Sequence, residues 1–330
     1  MRRIAVVFTG GTISMVVDPV AGGAVPALDG AAILARTPGI GELAEVVVVD
    51  RGMVPASHWT FERLLDLAAD LRELAADSAI DGIVVVQGTD TIEETSVAFD
   101  LLVDAGKPIV VTGAMRNATD PGYDGPANLA DAVRCAADPR LAAAGVVVVL
   151  ACTIEPAADV TKTHASALDT FRSLNQGSLG RVADGAVLLE RMSSPRRPVL
   201  APKVAAQPVP IVVATVGLDE GLIRAVRLLE PAGIVVEATG AGNTAASLLG
   251  EAEAAIDAGI PVVLATRCPA GAAGAGYAFP GGGATWVRAG ALLAGTLTGP
   301  KARIALALGL GAGLDRPQLG RLLAGPEDHG

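Results

Sequence analysis

The sequence predicts an α/β protein with a larger N-terminal parallel-sheet domain and a smaller C-terminal α/β domain. Three observations predict it. Short β-branched runs recur along the chain, helical segments separate them, and a proline-rich aperiodic stretch falls between residues 191 and 209. Runs that are apolar at every position suit strands buried on both faces, as in a parallel sheet covered by helices. At 330 residues the chain has the length for two domains, since single domains run from about 50 to about 250 residues.

In chain order, the expected strands of the first domain are Ile4 to Phe8, Val46 to Val49, Ile83 to Val86, Ile109 to Thr112 and Val146 to Leu150. Between the second and third, Phe61, Leu64, Leu65, Ala68, Leu71 and Ala75 recur at helical spacing behind Thr60, whose hydroxyl suits an N-cap. This alternation is βαβ architecture. The stretch "RMSSPRRPVLAPKVAAQPV" carries prolines and charge without a period, so it reads as a linker, residues 191–209, between domains 1–190 and 210–330. The second domain is expected to hold strands at Ile211 to Thr215, Ile234 to Ala238 and Pro261 to Thr266, and a last helix from about Lys301 to Leu310.

Composition excludes several classes of function. The net charge is −10 and no block of Lys or Arg occurs, so the basic footprint of a nucleic-acid binder is missing. Apolar runs stop short of the roughly 18 residues that a membrane span requires. The first strand starts without the basic and apolar segments of a signal peptide, which gives a cytoplasmic expectation. Cys135, Cys152 and Cys268 are unclustered, as expected of buried thiols in a reducing compartment. His58, His164 and His329 are too few and too scattered for a histidine metal site. The expected partner is a small molecule, with no metal, nucleic acid or membrane.

In open α/β sheets ligands sit beyond the carboxyl ends of the strands. Four unusual stretches fall there: "TGGT" at Thr9 to Thr12, "QGTDTIEET" at Gln87 to Thr95, "DVTKTH" at Asp159 to His164 and "TGAGNT" at Thr239 to Thr244. The plain reading of "GTDTIEET" is a helix start, capped by Asp90 or Thr91, with Glu93 and Glu94 facing the positive helix end. The chemical reading is that Asp90, in a pair flanked by Gly88, holds a substrate ammonium while Thr89 offers a hydroxyl. A threonine hydroxyl is a weak nucleophile and needs a neighbouring base. Lys162, between Thr161 and Thr163, is the candidate, its pKa lowered by desolvation; a solvated surface lysine is the other reading.

Together, "TGGTIS", "QGTDTIEET", "DVTKT", "TGAGNT" and "KARIALAL" resemble, in order and spacing, the bacterial-type L-asparaginase family over nearly the whole chain. "GTDTIEET" with "TGGTI" is the most specific pair. The resemblance implies a two-domain amidohydrolase that needs no cofactor. It implies a homodimer or homotetramer that hydrolyses the side-chain amide of L-asparagine or a close analogue. By motif, Thr12 is implied as primary nucleophile. Thr89, Asp90 and Lys162 are implied as a second set of catalytic and substrate-holding groups, with Gly11 and Gly88 beside the substrate. Asn243 is implied as the second-domain residue that reaches a neighbouring site. Gly10 and Gly11 then let the backbone turn closely around the substrate while Thr12 points at the amide carbonyl. Either Thr12 or Thr89 is the attacking group at each step.

The sequence departs from the family pattern in three places. The loop "ISMVVDPVAGGAVPALDG" lacks the tyrosine that many members use to hydrogen-bond the first threonine, and "RCPAGAAGAGYAFPGGGATWV" lacks the acid that a partner subunit often supplies. With that relay missing, Lys162 acting through Thr89 is expected to serve both threonines; the alternative is a relay from another side chain, such as Ser14 or Tyr277. "DRGMVPASHWT" lacks the usual carboxylate contacts: aligned on the helix start it offers Ser57, which we prefer, and aligned on Met53 it offers Asp50 and Arg51. Rival readings are an ammonia-generating amidotransferase-type subunit, a non-catalytic amino-acid binder, and an NAD-binding protein built on Gly240-x-Gly242-x-x-Ala245. The last lacks the acidic residue expected about 20 positions further on.

Overall fold

Apolar runs that carry no alternation become the parallel half of one sheet. The structure, a computed structural model, describes residues 1–192 and 196–325, and divides into two units, Met1–Arg196 and Arg197–Gly330. In the first unit β1 (Arg3–Phe8) leads into a hairpin, β2 (Met15–Asp18) and β3 (Gly23–Pro26), then into two short helices, α1 (Gly30–Ala35) and α2 (Ile40–Leu43). There follow β4 (Glu45–Asp50), α3 (Phe61–Ala76), β5 (Gly82–Val86), α4 (Ile92–Leu102), β6 (Ile109–Thr112), α5 (Gly125–Ala136) and β7 (Val146–Leu150). Short strands complete the unit: β8 (Thr153–Pro156), β9 (Val160–Lys162), β10 (Phe171–Ser173), β11 (Gly180–Ala183) and β12 (Ala186–Leu189).

The main sheet runs β12-β11-β8-β7-β6-β5-β1-β4. The pairs from β4 to β7 are parallel, and the pairs β7–β8, β8–β11 and β11–β12 are antiparallel. The sheet is therefore mixed. The antiparallel strands have four residues each, too few to display a period, although Asp184-Gly185 between β11 and β12, both at positive φ, is a two-residue hairpin signal. β4 also differs from a strand buried on both faces. It ends the sheet, so Val48 is 45% exposed despite its apolar neighbours.

On one face Ile4, Val6, Phe8, Val84, Val86, Val110, Val147 and Val149 pack with Leu129, Ala132, Val133 and Ala136 of α5. The alternate set, including Ala5, Val7, Ile83, Val85, Val111 and Val148, is equally buried, and α3 and α4 lie against β5 to β7. α3 begins where expected, with the Thr60 hydroxyl accepting from Arg63 N at 3.3 Å. Its buried stripe is Phe61, Leu64, Leu67, Ala68 and Leu71, each buried leucine contributing about 1.5–3 kcal/mol by leaving water.

The second unit holds β13 (Ile211–Val213), α6 (Glu220–Leu228), β14 (Ile234–Ala238), α7 (Ala246–Asp257), β15 (Val262–Thr266), α8 (Gly283–Ala289), β16 (Leu292–Leu293), α9 (Gly299–Gly311) and α10 (Arg316–Ala324). Its sheet is parallel throughout, in the order β13-β14-β15-β16. The helix near Lys301 is not the last: α9 is followed by α10, which starts on a capping box of Asp315 and Gln318 with a proline in its first turn.

Of the stretch 191–209, residues 193–195 lie outside the described residues, as does His329, and the remainder carries no helix or strand. It is not a solvated tether, because Arg197, Leu200, Ala205 and Val209 are buried. Arg196 donates to Asp100 Oδ1 at 3.2 Å and to the Asp100 and Val103 carbonyls at 2.9 and 3.0 Å. Arg197 donates instead to the Leu322 and Leu323 carbonyls of α10, at 2.9 and 3.3 Å. The units part between two arginines, each fastened within its own unit. Cys135 is buried as expected, whereas Cys152 and Cys268 are exposed, so the expectation of three buried thiols is corrected. Among the described residues no helix is long and apolar enough to cross a membrane.

Removing the Arg197 guanidinium takes away the donors that reach the last turn of α10. Arg197→Ala is expected to destabilise the second unit by about 1–3 kcal/mol, the cost of buried carbonyls left without donors. Arg197→Lys should recover only part of it, because an ammonium lacks the planar fork. Urea unfolding followed by circular dichroism checks both.

Candidate active site

The carboxyl ends of β1, β4, β5 and β6 meet through glycines. Gly10 and Gly11 stand at φ 102 and 92, a region that side chains other than glycine rarely adopt. A Cβ on Gly11 would lie 2.2 Å from both Cα and N of Gly88, and one on Gly10 would lie 2.6 Å from Val54 N. A Cβ on Gly113, just after β6, would lie 2.4 Å from the Gln87 carbonyl oxygen. The segments that follow β1 and β5 are thus in direct backbone contact. Hydrogen bonds hold them there: Thr9 N and Oγ1 both donate to Val86 O, at 2.9 and 3.0 Å, and Val54 N donates to Thr9 O at 2.7 Å.

Thr12 and Thr89 directly follow the two touching glycines. Thr12 is half-buried and opens a 3-10 turn, Thr12–Ser14. Ser14 closes that turn, its N and Oγ donating to Gly11 O at 2.9 and 2.7 Å. Thr89 is 4% exposed and opens a second 3-10 turn, Thr89–Thr91, which runs into α4. α4 therefore starts inside "GTDTIEET", but neither Asp90 nor Thr91 caps it with a side chain. The Thr91 hydroxyl donates to Ala56 O at 3.2 Å, and Glu93 accepts from the Lys162 N–H at 3.2 Å.

Lys162 ends β9, opposite Phe171 of β10. Its Nζ donates to Thr89 Oγ1 at 3.0 Å and to Asp90 Oδ1 at 2.7 Å. The lysine side chain is 15% exposed while that of Asp90 is 72% exposed, so this is not a solvated surface lysine. A hydroxyl that accepts from Nζ keeps its own proton to donate elsewhere, and an ionised carboxylate with one contact has acceptor sites left for a cationic group. The constellation can therefore pass a proton along Thr89 and Lys162 and hold an ammonium at Asp90.

The rest of "DVTKTH" is structural. Asp159 accepts from Asn175 Nδ2 at 2.7 Å and from Gln176 N at 2.8 Å, and His164 Nδ1 accepts from the N–H groups of Ser166 and Ala167, both at 3.0 Å. On the segment after β4, Arg51 pairs with Asp70 of α3. The Asp50 carboxylate accepts from Gly52 N at 2.9 Å and Gly30 N at 3.4 Å. Ser57 is exposed on the turn Ala56–His58. Its neighbour Ala56 is the residue that faces Gly88, whose added Cβ would lie 2.8 Å from the Ala56 Cβ. Asn243 belongs to the second unit. Its main chain closes the turn after β14 by reciprocal 2.9 Å bonds with Thr239, and its Oδ1 is buried with no partner among the described residues. Tyr277, also in the second unit, is 50% exposed beside Phe279.

One residue near the site went unread in the sequence. Tyr123 Oη donates to Ile13 O at 2.7 Å, across a separation of 110 residues. Burial pushes its phenol up to about 12. No local pattern announces such a contact; the only signal is an aromatic residue just ahead of a Pro-containing helix start.

Comparison with known proteins gives consistent findings. The family model for the N-terminal domain of asparaginase matches residues 3–194, and that for the glutaminase/asparaginase C-terminal domain matches residues 208–323. A probable L-asparaginase of Deinococcus radiodurans is 37% identical over 329 residues, 98% of this chain and 97% of the relative. An L-asparaginase of Bacillus licheniformis is 32% identical over 93% of this chain and 95% of its own length. The crystal structure of a probable cytoplasmic L-asparaginase from Campylobacter jejuni superposes with a TM-score of 0.86 at 29% identity, covering 98% of this chain and 99% of the other.

The Gly11–Gly88 contact has a direct test. Gly11→Ala places a methyl 2.2 Å from the Gly88 backbone at a φ of 92. It is expected to destabilise the first unit by at least about 2 kcal/mol through overpacking and strain. An unfolding free energy within about 0.5 kcal/mol of the parent, the range of a neutral surface change, would contradict the contact.

Proposed function

The chain belongs to the asparaginase family, and from that premise we propose that it hydrolyses the side-chain amide of L-asparagine, or of a close analogue, to L-aspartate and ammonia. The observation that carries the reading is Lys162 Nζ bonded to both Thr89 and Asp90, beside the glycine contact that immediately precedes Thr12. In the proposed reaction the Thr12 oxygen attacks the amide carbon and its proton passes to the amide nitrogen. The C–N bond breaks and ammonia leaves an acyl ester on Thr12. Water then attacks the ester, the carboxylate product departs, and Thr12 regains its proton.

Backbone N–H groups near Gly11 and Thr89 stabilise the oxyanion of each step. Lys162, acting through the Thr89 hydroxyl, moves the protons, while Asp90 anchors the substrate ammonium. Gly11 and Gly88 leave room for the substrate, and Ser57 is proposed to meet its α-carboxylate. Asn243 is proposed to serve the site of a neighbouring subunit in a homodimer or homotetramer. No cofactor takes part. A cytoplasmic location is proposed on the likeness to the Campylobacter jejuni protein, described as probable cytoplasmic.

Ammonia release from a panel of L- and D-asparagine, glutamine and small amides tests the proposal, with L-asparagine expected to lead; turnover of none of them would overturn it. Thr89→Val and Lys162→Met are each expected to lower kcat by roughly 10²-fold, the scale of losing an acid–base partner. Asp90→Ala is expected to raise KM as well as lower kcat, since an ammonium anchor serves the ground and transition states alike. Light scattering should give at least a dimer, and full activity in a monomer would contradict the role of Asn243.

A further inference from the structure

The turn that presents Thr12 is tied down from outside its own hairpin. On the segment after Thr12, residues 13, 15 and 17 each bond to one loop, that between β6 and α5. Tyr123 Oη donates to Ile13 O at 2.7 Å, Ala118 N donates to Met15 O at 2.9 Å, and Val17 N donates to Thr119 Oγ1 at 3.1 Å. Met15 and Val17 are alternate residues of β2 and turn their backbone groups to the same edge, so the loop lies along that edge while β3 pairs with β2 along the other. Met15 stands opposite Pro26, and its carbonyl, turned away from β3, is the one that Ala118 engages.

The loop is rigid enough to act as an anchor. Asp124 accepts from Met115 N, Arg116 N and Asn128 Nδ2 at 3.0, 2.9 and 2.9 Å. Asn117 Oδ1 accepts from Thr119 N and Oγ1 at 2.9 and 2.5 Å, and Asp120 Oδ2 accepts from Asn117 Nδ2 at 2.7 Å. The Tyr123 ring packs against the core of the first unit, over a glycine: a Cβ on Gly125 would lie 2.5 Å from three of its atoms. Of these three ties the one from the phenol reaches the Thr12–Ser14 turn, where it grips the carbonyl next to Thr12, while the Ser14 carbonyl accepts from Ala27 N and Leu28 N, both at 2.9 Å.

We propose that Tyr123 is a positioning residue for the reaction, its hydroxyl fixing the Ile13 carbonyl and so the direction in which Thr12 presents its oxygen. This inference rests on Thr12 as the attacking group. A phenol pushed up to about 12 by burial stays protonated through the neutral range and donates throughout, so it fixes the turn without moving a proton. The tie also lies on the backbone and not on the Thr12 side chain, leaving that hydroxyl to the substrate. Ser14, the other polar side chain of the turn, is engaged with Gly11 O.

The experiment compares Tyr123→Phe, Thr119→Ala and Thr12→Ala in the full chain, by steady-state kinetics across pH and by hydrogen exchange of the peptide spanning residues 12–18. Phenylalanine keeps the packed ring and removes only the hydroxyl. Tyr123→Phe is expected to lower kcat roughly tenfold, a fraction of what a misplacement of about 1 Å costs. KM should stay within about twofold, the pH profile should keep its shape, and exchange over 12–18 should quicken. Thr119→Ala should shift exchange and kcat in the same direction by less, and it reads the strap if Tyr123→Phe does not fold. Parental kcat in Tyr123→Phe, or a slower rate with unchanged exchange, would overturn the inference. Loss of one limb of the pH profile would also overturn it, because the phenol would then be a proton relay. Parental activity in Thr12→Ala would remove the nucleophile reading and this inference together; loss there beside parental rates in Tyr123→Phe removes this inference alone.

Discussion

Everything at the site depends on two strands ending close enough for their backbones to touch. Gly11 and Gly88 follow β1 and β5, neighbours in the sheet, and a Cβ on the first would sit 2.2 Å from the second. At Gly11 no other residue type fits, on space and on φ alike. The contact joins the residues just ahead of the two threonines: each threonine is the next residue, and each opens a 3-10 turn. A 3-10 turn is a short, tight device, which suits the task of turning a hydroxyl out of a strand end without building a long loop.

Lys162 comes from the chain that follows the antiparallel strand β8. After β7 the chain reverses into β8, then crosses into the ribbon β9–β10, whose last residue on the first strand is Lys162. β8 returns to the amino end of β7, where Ala157 N donates to Val146 O at 3.0 Å. The chain reaches α4 again through β9, where Glu93 holds the Lys162 N–H while Nζ reaches Thr89 and Asp90. The contrast in exposure between Lys162 and Asp90 leaves one end of the network shielded and the other open to a soluble amide. Charge-assisted hydrogen bonds of this kind are shorter and stronger than neutral ones, and they give a side chain with four rotatable bonds a single address.

Around this centre the fold repeats one habit, which is to fasten aperiodic chain with side-chain hydrogen bonds to backbone groups. Asp124 stiffens the loop between β6 and α5, and that loop in turn holds the segment after Thr12. Arg196 and Arg197 do the same for the junction of the units, each reaching carbonyls within its own unit. Such ties cost little in sequence, a single long or aromatic side chain each, and they convert aperiodic stretches into ordered ones. The motif residues Asp159 and His164 serve likewise, closing turns that set the ribbon of Lys162 in place.

By itself the sequence determined the class of fold, the parallel strands and the family. It did so because an unbroken apolar run, a 3.6-residue stripe behind Thr60 and the glycine-threonine motifs are local patterns that survive in one dimension. It also determined which side chains were worth watching, since Thr12, Thr89, Asp90 and Lys162 all stand at strand ends or helix starts. Only the tertiary structure decided the antiparallel extension, the exposure of β4, the helix α10, the exposed Cys152 and Cys268, and the absence of a side-chain cap from Asp90. It decided too that Ala56 faces Gly88, and that Tyr123 reaches Ile13. The reason is separation along the chain: Lys162 and Thr89 lie 73 residues apart, and Tyr123 and Ile13 lie 110 apart. A hydrogen bond across such a span leaves no periodic trace in the residues between, and exists only once the sheet has brought its strand ends together.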